Sequence, residues 1–223
     1  MREKKILLAC RIMEPEIEKL RPGPDDLEVH YIDQGLHRTP KRMLGIVQEK
    51  IDTVESGASK IVLGYGLCSR GISGLKCRSA RLVIPRCHDC IALFLGSLET
   101  YRRRMETQPG TYYLTAGWIR EKKDPLGIVE EEYTPKMGRE LAVWGMREEL
   151  KNYSHIAYVE TDAGEAGILR RRARENAIFF EKIFEDIRGS LGFFERLVNG
   201  PYLEPDFLVL APGEGVRMEM FFN

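Results

Sequence analysis

The chain has 223 residues, of which 43% are hydrophobic and 30% are charged, and its formal net charge is zero. This size suits one large domain or two closely packed lobes with a substantial core. A neutral chain has no bulk electrostatic attraction to nucleic acid or to an anionic membrane. No apolar run approaches the roughly 20 residues that span a bilayer. We therefore expect neither nucleic acid nor a membrane among the partners.

The cysteine content indicates the cellular compartment. The chain has five cysteines, an odd number, and four of them fall between positions 68 and 90. This pattern is not typical of a secreted disulfide framework. The N-terminal MREKKILLAC has too short an apolar stretch for a signal peptide and is interpreted as a first strand. We predict a cytoplasmic protein with reduced thiols.

Short β-like runs alternate with helical stretches in the first hundred residues. Apolar runs and apolar-polar alternation predict strands over residues 5–10, 27–32, 60–64 and 81–84. Helical spacing of apolar residues predicts helices over residues 14–20, 40–56 and 90–98. Strands separated by helices favour parallel βαβ units with right-handed crossovers.

The second half of the chain is less regular. Strands are predicted over residues 111–115, 156–160 and 207–211, and helices over 163–187 and 191–198. Residues 99–110 and 120–138 are charged and turn-rich, which predicts connectors or a lid. The predicted fold is α/β: a Rossmann-like parallel sheet with flanking helices in an N-terminal lobe of residues 1–98, and a less regular α/β lobe of residues 99–223.

Each predicted strand of the N-terminal lobe is followed by a cysteine or a histidine. Cys10 ends the first strand, and His37 follows the second in DQGLHRTP. Cys68 follows the third strand in GYGLCSRGISG, and the fourth is followed by PRCHDC. Ligands of open α/β sheets bind outside the carboxyl ends of the strands. We therefore expect these side chains to meet at one edge of the sheet.

Thiolate and imidazole groups together select zinc or iron-sulfur centres over magnesium or calcium. The predicted metal ligands are Cys10, Cys68, His88 and Cys90, with zinc ahead of an iron-sulfur cluster. Asp89 is a candidate acceptor for an imidazole N–H and a candidate catalytic group. Cys87 and Cys90 form a CxxC, which would also suit a redox pair.

Further candidates are cofactor contacts and a second acid. Gly66 and Gly71 suggest close backbone approach to a ligand, although a plain flexible loop would look the same, and neither a Walker A loop nor a GxGxxG motif is present. His37 is a second candidate ligand or a turn cap. Tyr113 and Thr115 lie in an aromatic, hydroxyl-bearing segment that would wall a pocket. Glu160 follows a predicted strand and would supply a general acid or base.

Several stretches of the chain resemble the DUF1638 family of uncharacterised prokaryotic proteins. They are LLACRIMEPEIEKL, GLHRTP, GYGLCSRGISGLK, LVIPRCHDCIALFLGS and YYLTAGWI. The resemblance weakens beyond about residue 119, although FLVLAPGEGV is similar to the family's final strand. The family's pattern matches this sequence at Cys10, His37, Cys68, His88, Asp89 and Cys90. Cys77 and Cys87 are additions to that pattern, which weakens the CxxC redox interpretation.

The resemblance implies a cytoplasmic protein that is often encoded beside corrinoid-dependent methyl-transfer systems in anaerobes. Zinc enzymes that move methyl groups from corrinoids to thiols hold zinc through a similar H-x-C pair and a distant cysteine. The first hypothesis is therefore a zinc-dependent enzyme of methyl or one-carbon transfer, with a corrinoid protein or methyltransferase as partner. The second is a non-catalytic accessory that binds an iron-sulfur cluster, a corrinoid or a tetrapyrrole. The third is a thiol-disulfide protein that uses Cys87 and Cys90. Homo-oligomerisation is left open.

Overall fold

The structure is a computed structural model that describes residues 4–21, 23, 27–33, 35, 40–68, 70–163 and 166–222, with only the backbone described at positions 40, 41 and 166. Two sheets organise the chain. The first has the strand order β2-β1-β3-β4-β8. Its strands are β1 (Lys5–Cys10), β2 (Glu28–Ile32), β3 (Lys60–Gly64), β4 (Arg81–Pro85) and β8 (Phe207–Leu210).

The first four strands of this sheet run parallel, and β8 pairs with β4 in the antiparallel sense. Ile6 to Cys10 of β1 are all buried, as expected for a central parallel strand that helices cover on both faces. The helices packed with this sheet are α1 (Glu14–Leu20), α2 (Pro40–Val54), α3 (Ile91–Leu95), α4 (Leu98–Thr107) and α10 (Gly192–Asn199). Met43, Val47 and Ile51 of α2 are buried at helical spacing.

The second sheet contains three parallel strands in the order β5-β6-β7. They are β5 (Thr111–Leu114), β6 (His155–Glu160) and β7 (Ile183–Arg188). The surrounding helices are α5 (Ala116–Arg120), α6 (Pro125–Ile128), α7 (Thr134–Met137), α8 (Arg139–Glu149) and α9 (Ala166–Phe179). The predicted α/β fold with a mainly parallel sheet is confirmed, and the second half contains a parallel sheet of its own.

The predicted helix over residues 163–187 is wrong in its last part. Helix α9 ends at Phe179, and β7 follows after a turn in which Glu181 has a φ of +56°. Ile183 and Ile187 are four residues apart, a spacing that fits a helix as well as a strand. In the structure β7 is an edge strand, and ion pairs hold two of its charges. Arg104 pairs with Glu185 and Arg170 with Asp186.

The two predicted connectors are also largely helical. Residues 99–110 contain most of α4. The Ser97 side chain stabilises the start of this helix by accepting from the Thr100 N–H at 3.1 Å. Residues 120–138 contain α6, a π-helical turn over Val129–Tyr133, and α7. The buried Asp124 carboxylate caps α6 by accepting from the Gly127 N–H at 3.2 Å. Local capping thus outweighs the high charge of both segments.

The two sheets share apolar packing. Tyr113 of β5 and Ala157 and Val159 of β6 belong to the same buried cluster as the first sheet. The predicted lobe boundary at residue 98 coincides with the start of α4, and the chain later returns to the first sheet through α10 and β8. The division into lobes of residues 1–98 and 99–223 stays a prediction. Within the described ranges, no helix has the length and apolar character that crossing a bilayer requires.

Candidate functional site

The carboxyl ends of β1, β3 and β4 lie side by side at one edge of the first sheet. The strand order turns outward from β1 in both directions, so this edge is a topological switch point, where α/β sheets bind ligands. Cys10 ends β1, the segment 65–68 follows β3, and the segment 86–90 follows β4. The sequence therefore correctly placed these segments together.

The loops after β3 and β4 are joined through their backbones. The Leu67 N–H donates to the Cys87 carbonyl and the Cys68 N–H donates to the His88 carbonyl, each at 2.9 Å. A Cβ atom at Gly66 would lie 2.9 Å from both the Asp89 Cα and the Cys87 carbonyl oxygen. Gly66 is thus required for the loops to touch.

Gly71 has a similar packing role behind the first loop. A Cβ atom there would lie 2.8 Å from the Met43 sulfur and 3.1 Å from the Cys68 carbonyl oxygen. The Gly71 N–H donates to that same carbonyl. Cys68 itself has a φ of +45°, the left-handed region that costs a side-chain-bearing residue about 1–2 kcal/mol. Contacts of Gly66 and Gly71 with a cofactor stay predictions.

Four thiols meet at this edge and form what we call the thiol cluster: Cys10, Cys68, Cys87 and Cys90. Each is at most 5% exposed, and none of the four is in a disulfide bond. The Cys90 thiol donates a hydrogen bond to the Cys68 sulfur; this bond, together with burial and the nearby Cys68, Asp89 and Cys10, raises the pKa of Cys90 well above its usual range. Burial, with Cys68 and Asp89 nearby, also raises the pKa of Cys87.

Tyr65, which was not among the predicted site residues, is part of the same environment. It follows β3 directly and is 1% exposed. Burial raises its pKa well above the usual range, and the neighbouring Cys10, Cys68 and Cys90 add to the effect. Its position immediately after a strand, within GYGLC, was the available signal.

The predicted imidazole ligand packs against a ring of the C-terminal segment, and its role as a metal ligand stays a prediction. His88 is exposed, and its ring packs edge-on against Phe222 with the ring centroids 4.8 Å apart. Among the described residues, no group of three histidine, cysteine, aspartate or glutamate side chains is arranged to hold a metal ion. The structure brings the thiols of Cys10, Cys68 and Cys90 together, and their role as metal ligands stays a prediction.

Asp89 fastens the second loop to the helices that follow it. One carboxylate oxygen accepts from the Ile91 N–H at 2.9 Å, and the other accepts from the Tyr101 hydroxyl at 2.6 Å. Burial and the Asp89 carboxylate raise the pKa of Tyr101, so this hydroxyl keeps its proton and remains a donor. Asp89 therefore fixes the backbone that carries Cys87 and Cys90.

A cleft of about 580 Å³ opens in front of the thiol cluster. Cys68, His88, Asp89 and Cys90 line one side, and residues of the second sheet and its helices line the other. The aromatic residues on that far side are Tyr112, Tyr113, Trp118 and Tyr153. This volume is within the range of small-molecule sites. The thiol cluster is therefore accessible to a ligand through Cys68 and Cys90.

The comparison with protein families identifies the chain. A family profile described as "Protein of unknown function (DUF1638)" matches residues 31–198. The chain belongs to this family. Searches of curated proteins and of solved structures find no match. The DUF1638 match begins after Cys10 and includes both loops that carry Cys68 and Cys90.

Other predicted site residues of this DUF1638 chain lie elsewhere. Glu160, at the end of β6, is bound by Arg170, and it is not among the described residues that line the cleft. Thr115 is fully buried where β5 meets α5, and its hydroxyl has no hydrogen-bond partner in the described part of the chain. Tyr113 does line the cleft. The prediction for His37 lies outside the described residues.

Cys77 lies apart from the thiol cluster. Its thiol donates to the Glu55 carboxylate at 3.2 Å, and burial raises its pKa to about 11. Substitution of Cys77 therefore serves as a control for substitutions in the thiol cluster.

The outer wall of the cleft is made of residues that the sequence did not single out. Lys123, Glu132, Glu149 and Tyr153 line it, and the first two lie in a segment predicted to be a connector or a lid. The Lys123 ammonium pairs with the Glu132 carboxylate at 2.6 Å. No local pattern marks these residues, because only the packing of the surrounding helices brings them to the thiol cluster.

Proposed function

We propose that this DUF1638 protein binds a zinc ion through thiols of its cluster and acts in methyl or one-carbon transfer on a ligand held in the cleft. The observation that supports the proposal is the meeting of four buried thiols from three strand ends at the mouth of a cleft of about 580 Å³. Four of the five cysteines in the chain gather there.

The donor set suits a soft or borderline metal. Sulfur ligands select zinc, copper(I) or iron-sulfur centres over magnesium and calcium. Cys68 and Cys90 line the cleft, whereas Cys10 is fully buried behind them. Because no three described residues are arranged to hold an ion, these three side chains would have to close around it. An ion held by the three sulfurs would keep a coordination position toward the cleft, as catalytic zinc sites do. Bound zinc would supply Lewis acidity toward an acceptor group.

The chain's own residues have separate parts in this proposal. Asp89 and Tyr101 hold the Cys87–Cys90 segment in place, and the backbone bonds of Leu67 and Cys68 hold it against the first loop. The aromatic wall of the cleft would exclude water from the ligand. Glu160 is left out as catalytic acid, because Arg170 binds its carboxylate away from the cleft.

One observation favours a second function. The Cys90 thiol donates to the Cys68 sulfur, so these two cysteines are candidate disulfide partners. A disulfide between them would form with loss of two electrons and two protons to an oxidant such as a small-molecule disulfide. The accessory role, in binding an iron-sulfur cluster, a corrinoid or a tetrapyrrole, is the remaining alternative. For each we propose a cytoplasmic location and a corrinoid protein or methyltransferase as partner.

Elemental analysis and an absorbance spectrum of anaerobically purified protein test the proposal. We expect one zinc per chain in a colourless protein, and loss of most of it in the Cys68→Ser and Cys90→Ser variants. Cys77→Ser is the matched control and should keep its zinc, because Cys77 lies with Glu55. Absence of zinc would contradict the proposal. Visible absorbance would then support the accessory role, and a Cys68–Cys90 disulfide in peptide mapping would support the redox role.

A further inference from the structure

We propose that the cleft binds a small organic cation whose nitrogen carries alkyl groups, such as a quaternary ammonium compound. The inference rests on the proposed function in taking the cleft as the substrate site, and it names the chemical class of that ligand. It depends on the charge and the aromatic lining of the cleft, and it requires no metal in the thiol cluster.

The charge of the lining excludes anions. Asp89, Glu132 and Glu149 bring three carboxylates to the cleft, and Lys123 is the one lysine or arginine among the described residues that line it. The formal charge of the lining is therefore −2 with His88 neutral. The Lys123 ammonium already pairs with Glu132 at 2.6 Å. A phosphate or carboxylate ligand would meet net repulsion here, and a cation would be attracted.

The aromatic rings of the far wall suit a cation that cannot donate hydrogen bonds. Tyr112 and Tyr153 both line the cleft, and their rings pack edge to face at 75° with their centroids 5.2 Å apart. Tyr113 and Trp118 extend the same side of the cleft. Quaternary ammonium groups bind to clustered aromatic side chains, because ring faces carry partial negative charge and alkyl groups pack well on them.

A ring of this wall already accepts a cation within the protein. The Arg104 guanidinium lies 5.9 Å from the centroid of the Tyr113 ring and donates to its hydroxyl at 3.4 Å. Arg104 is itself held by two hydrogen bonds to Glu185, at 2.7 and 2.6 Å. Arg104 thereby fixes the Tyr113 ring at the wall of the cleft.

Calorimetric titration of the full chain with choline, and with its uncharged isostere 3,3-dimethylbutan-1-ol, tests the inference. The two probes have nearly the same shape and differ in charge. We expect saturable binding of choline and at least tenfold weaker binding of the neutral alcohol. Equal binding of the two would overturn the inference, because the cleft would then select apolar shape alone. Absence of choline binding would also overturn it.

Two variants of one residue keep the test specific. Tyr153→Leu removes one ring of the Tyr112–Tyr153 pair and should weaken choline binding about tenfold, as expected for loss of a cation–π contact. Tyr153→Phe retains the ring and should stay within about twofold of the wild type. A Tyr153→Leu protein that has the wild-type circular dichroism spectrum and binds choline unchanged would overturn the inference.

The Cys68→Ser variant separates this inference from the proposed function. Choline binding should persist in it within about twofold, since the rings and carboxylates are unchanged. Choline binding by a wild-type protein that holds no zinc would leave the ligand class standing while the proposed function fails. A protein that holds zinc and binds no choline would leave the proposed function standing while the ligand class fails.

Discussion

Gly66 holds the loop after β3 against the loop after β4. A side chain at this position would meet backbone atoms of Cys87 and Asp89 on the facing loop at 2.9 Å, and backbone gives way less readily than a flexible side chain. The contact in turn sets the hydrogen bonds of Leu67 and Cys68 to that loop. A single missing methyl group therefore determines how closely Cys68 and Cys90 approach.

We predict that Gly66→Ala separates the two loops and lowers the free energy of unfolding by about 1–3 kcal/mol, the usual cost of overpacking. The same variant should lose zinc together with stability, because the Cys68 and Cys90 sulfurs move apart. Urea denaturation and elemental analysis measure the two effects.

Gly145→Ala provides the matched control. Gly145 lies in α8, and an added Cβ atom would have no other atom within 4 Å. We expect this variant to be as stable as the wild type or more stable by about 0.5–1 kcal/mol, from helix propensity. A Gly66→Ala protein that was as stable as Gly145→Ala would show that the two loops accommodate a side chain at position 66, which would contradict the prediction.

At the scale of elements, α1 and the end of β6 meet through a buried carboxyl group. Glu16 of α1 is 0% exposed, and the Thr161 hydroxyl, just after β6, donates to its Oε1 at 2.6 Å. Its Oε2 has no hydrogen-bond partner within the described residues. Burial raises the pKa of Glu16 to about 7, while Thr161 and the Arg120 charge act in the opposite direction. Burial therefore favours the protonated form of this carboxyl group.

This contact predicts a stability that falls as the pH rises. Between the ordinary pKa of 4.5 and the folded value of about 7, the folded protein holds more protons at Glu16 than the unfolded chain. Stability therefore decreases through that window and is lowest above it. Glu16→Gln should flatten the profile, and at pH 8 it should be more stable than the wild type by up to about 3 kcal/mol. Urea denaturation across the pH range measures this.

Glu49→Gln, at an exposed position of α2, serves as the control and should leave the pH profile unchanged. Parallel profiles for wild type and Glu16→Gln would mean that the Glu16 carboxyl group is ionised in the folded protein at neutral pH.

At the scale of the whole molecule, the sequence predicted the half of the site that depends on strand ends. The apolar runs of β1, β3 and β4 identified parallel strands, and parallel strands bring Cys10, Cys68 and Cys90 to one edge. The position of a residue at a strand end does not determine where its side chain points. His88 faces Phe222 because of how the C-terminal segment packs, which no local pattern reports.

The other half of the site depends on long-range packing. Glu149 and Tyr153 reach the cleft only because α8 and the segment after it pack against the second sheet. The strand β7 was missed because Ile183 and Ile187 also fit a helical period, and its charges are held by ion pairs with residues far along the chain. Periodicity reports burial along one element, and it does not report which elements meet.

The most direct test of a metal held by the thiol cluster is cobalt(II) titration of the metal-free protein, followed by absorbance spectroscopy. Cobalt(II) replaces zinc and shows sulfur-to-cobalt charge-transfer absorbance when thiolates bind it. We predict saturation at one cobalt per chain with this absorbance, which is much reduced in Cys68→Ser and Cys90→Ser and retained in Cys77→Ser. Absence of the charge-transfer band, or an equal band in all three variants, would contradict a metal site built from these thiols.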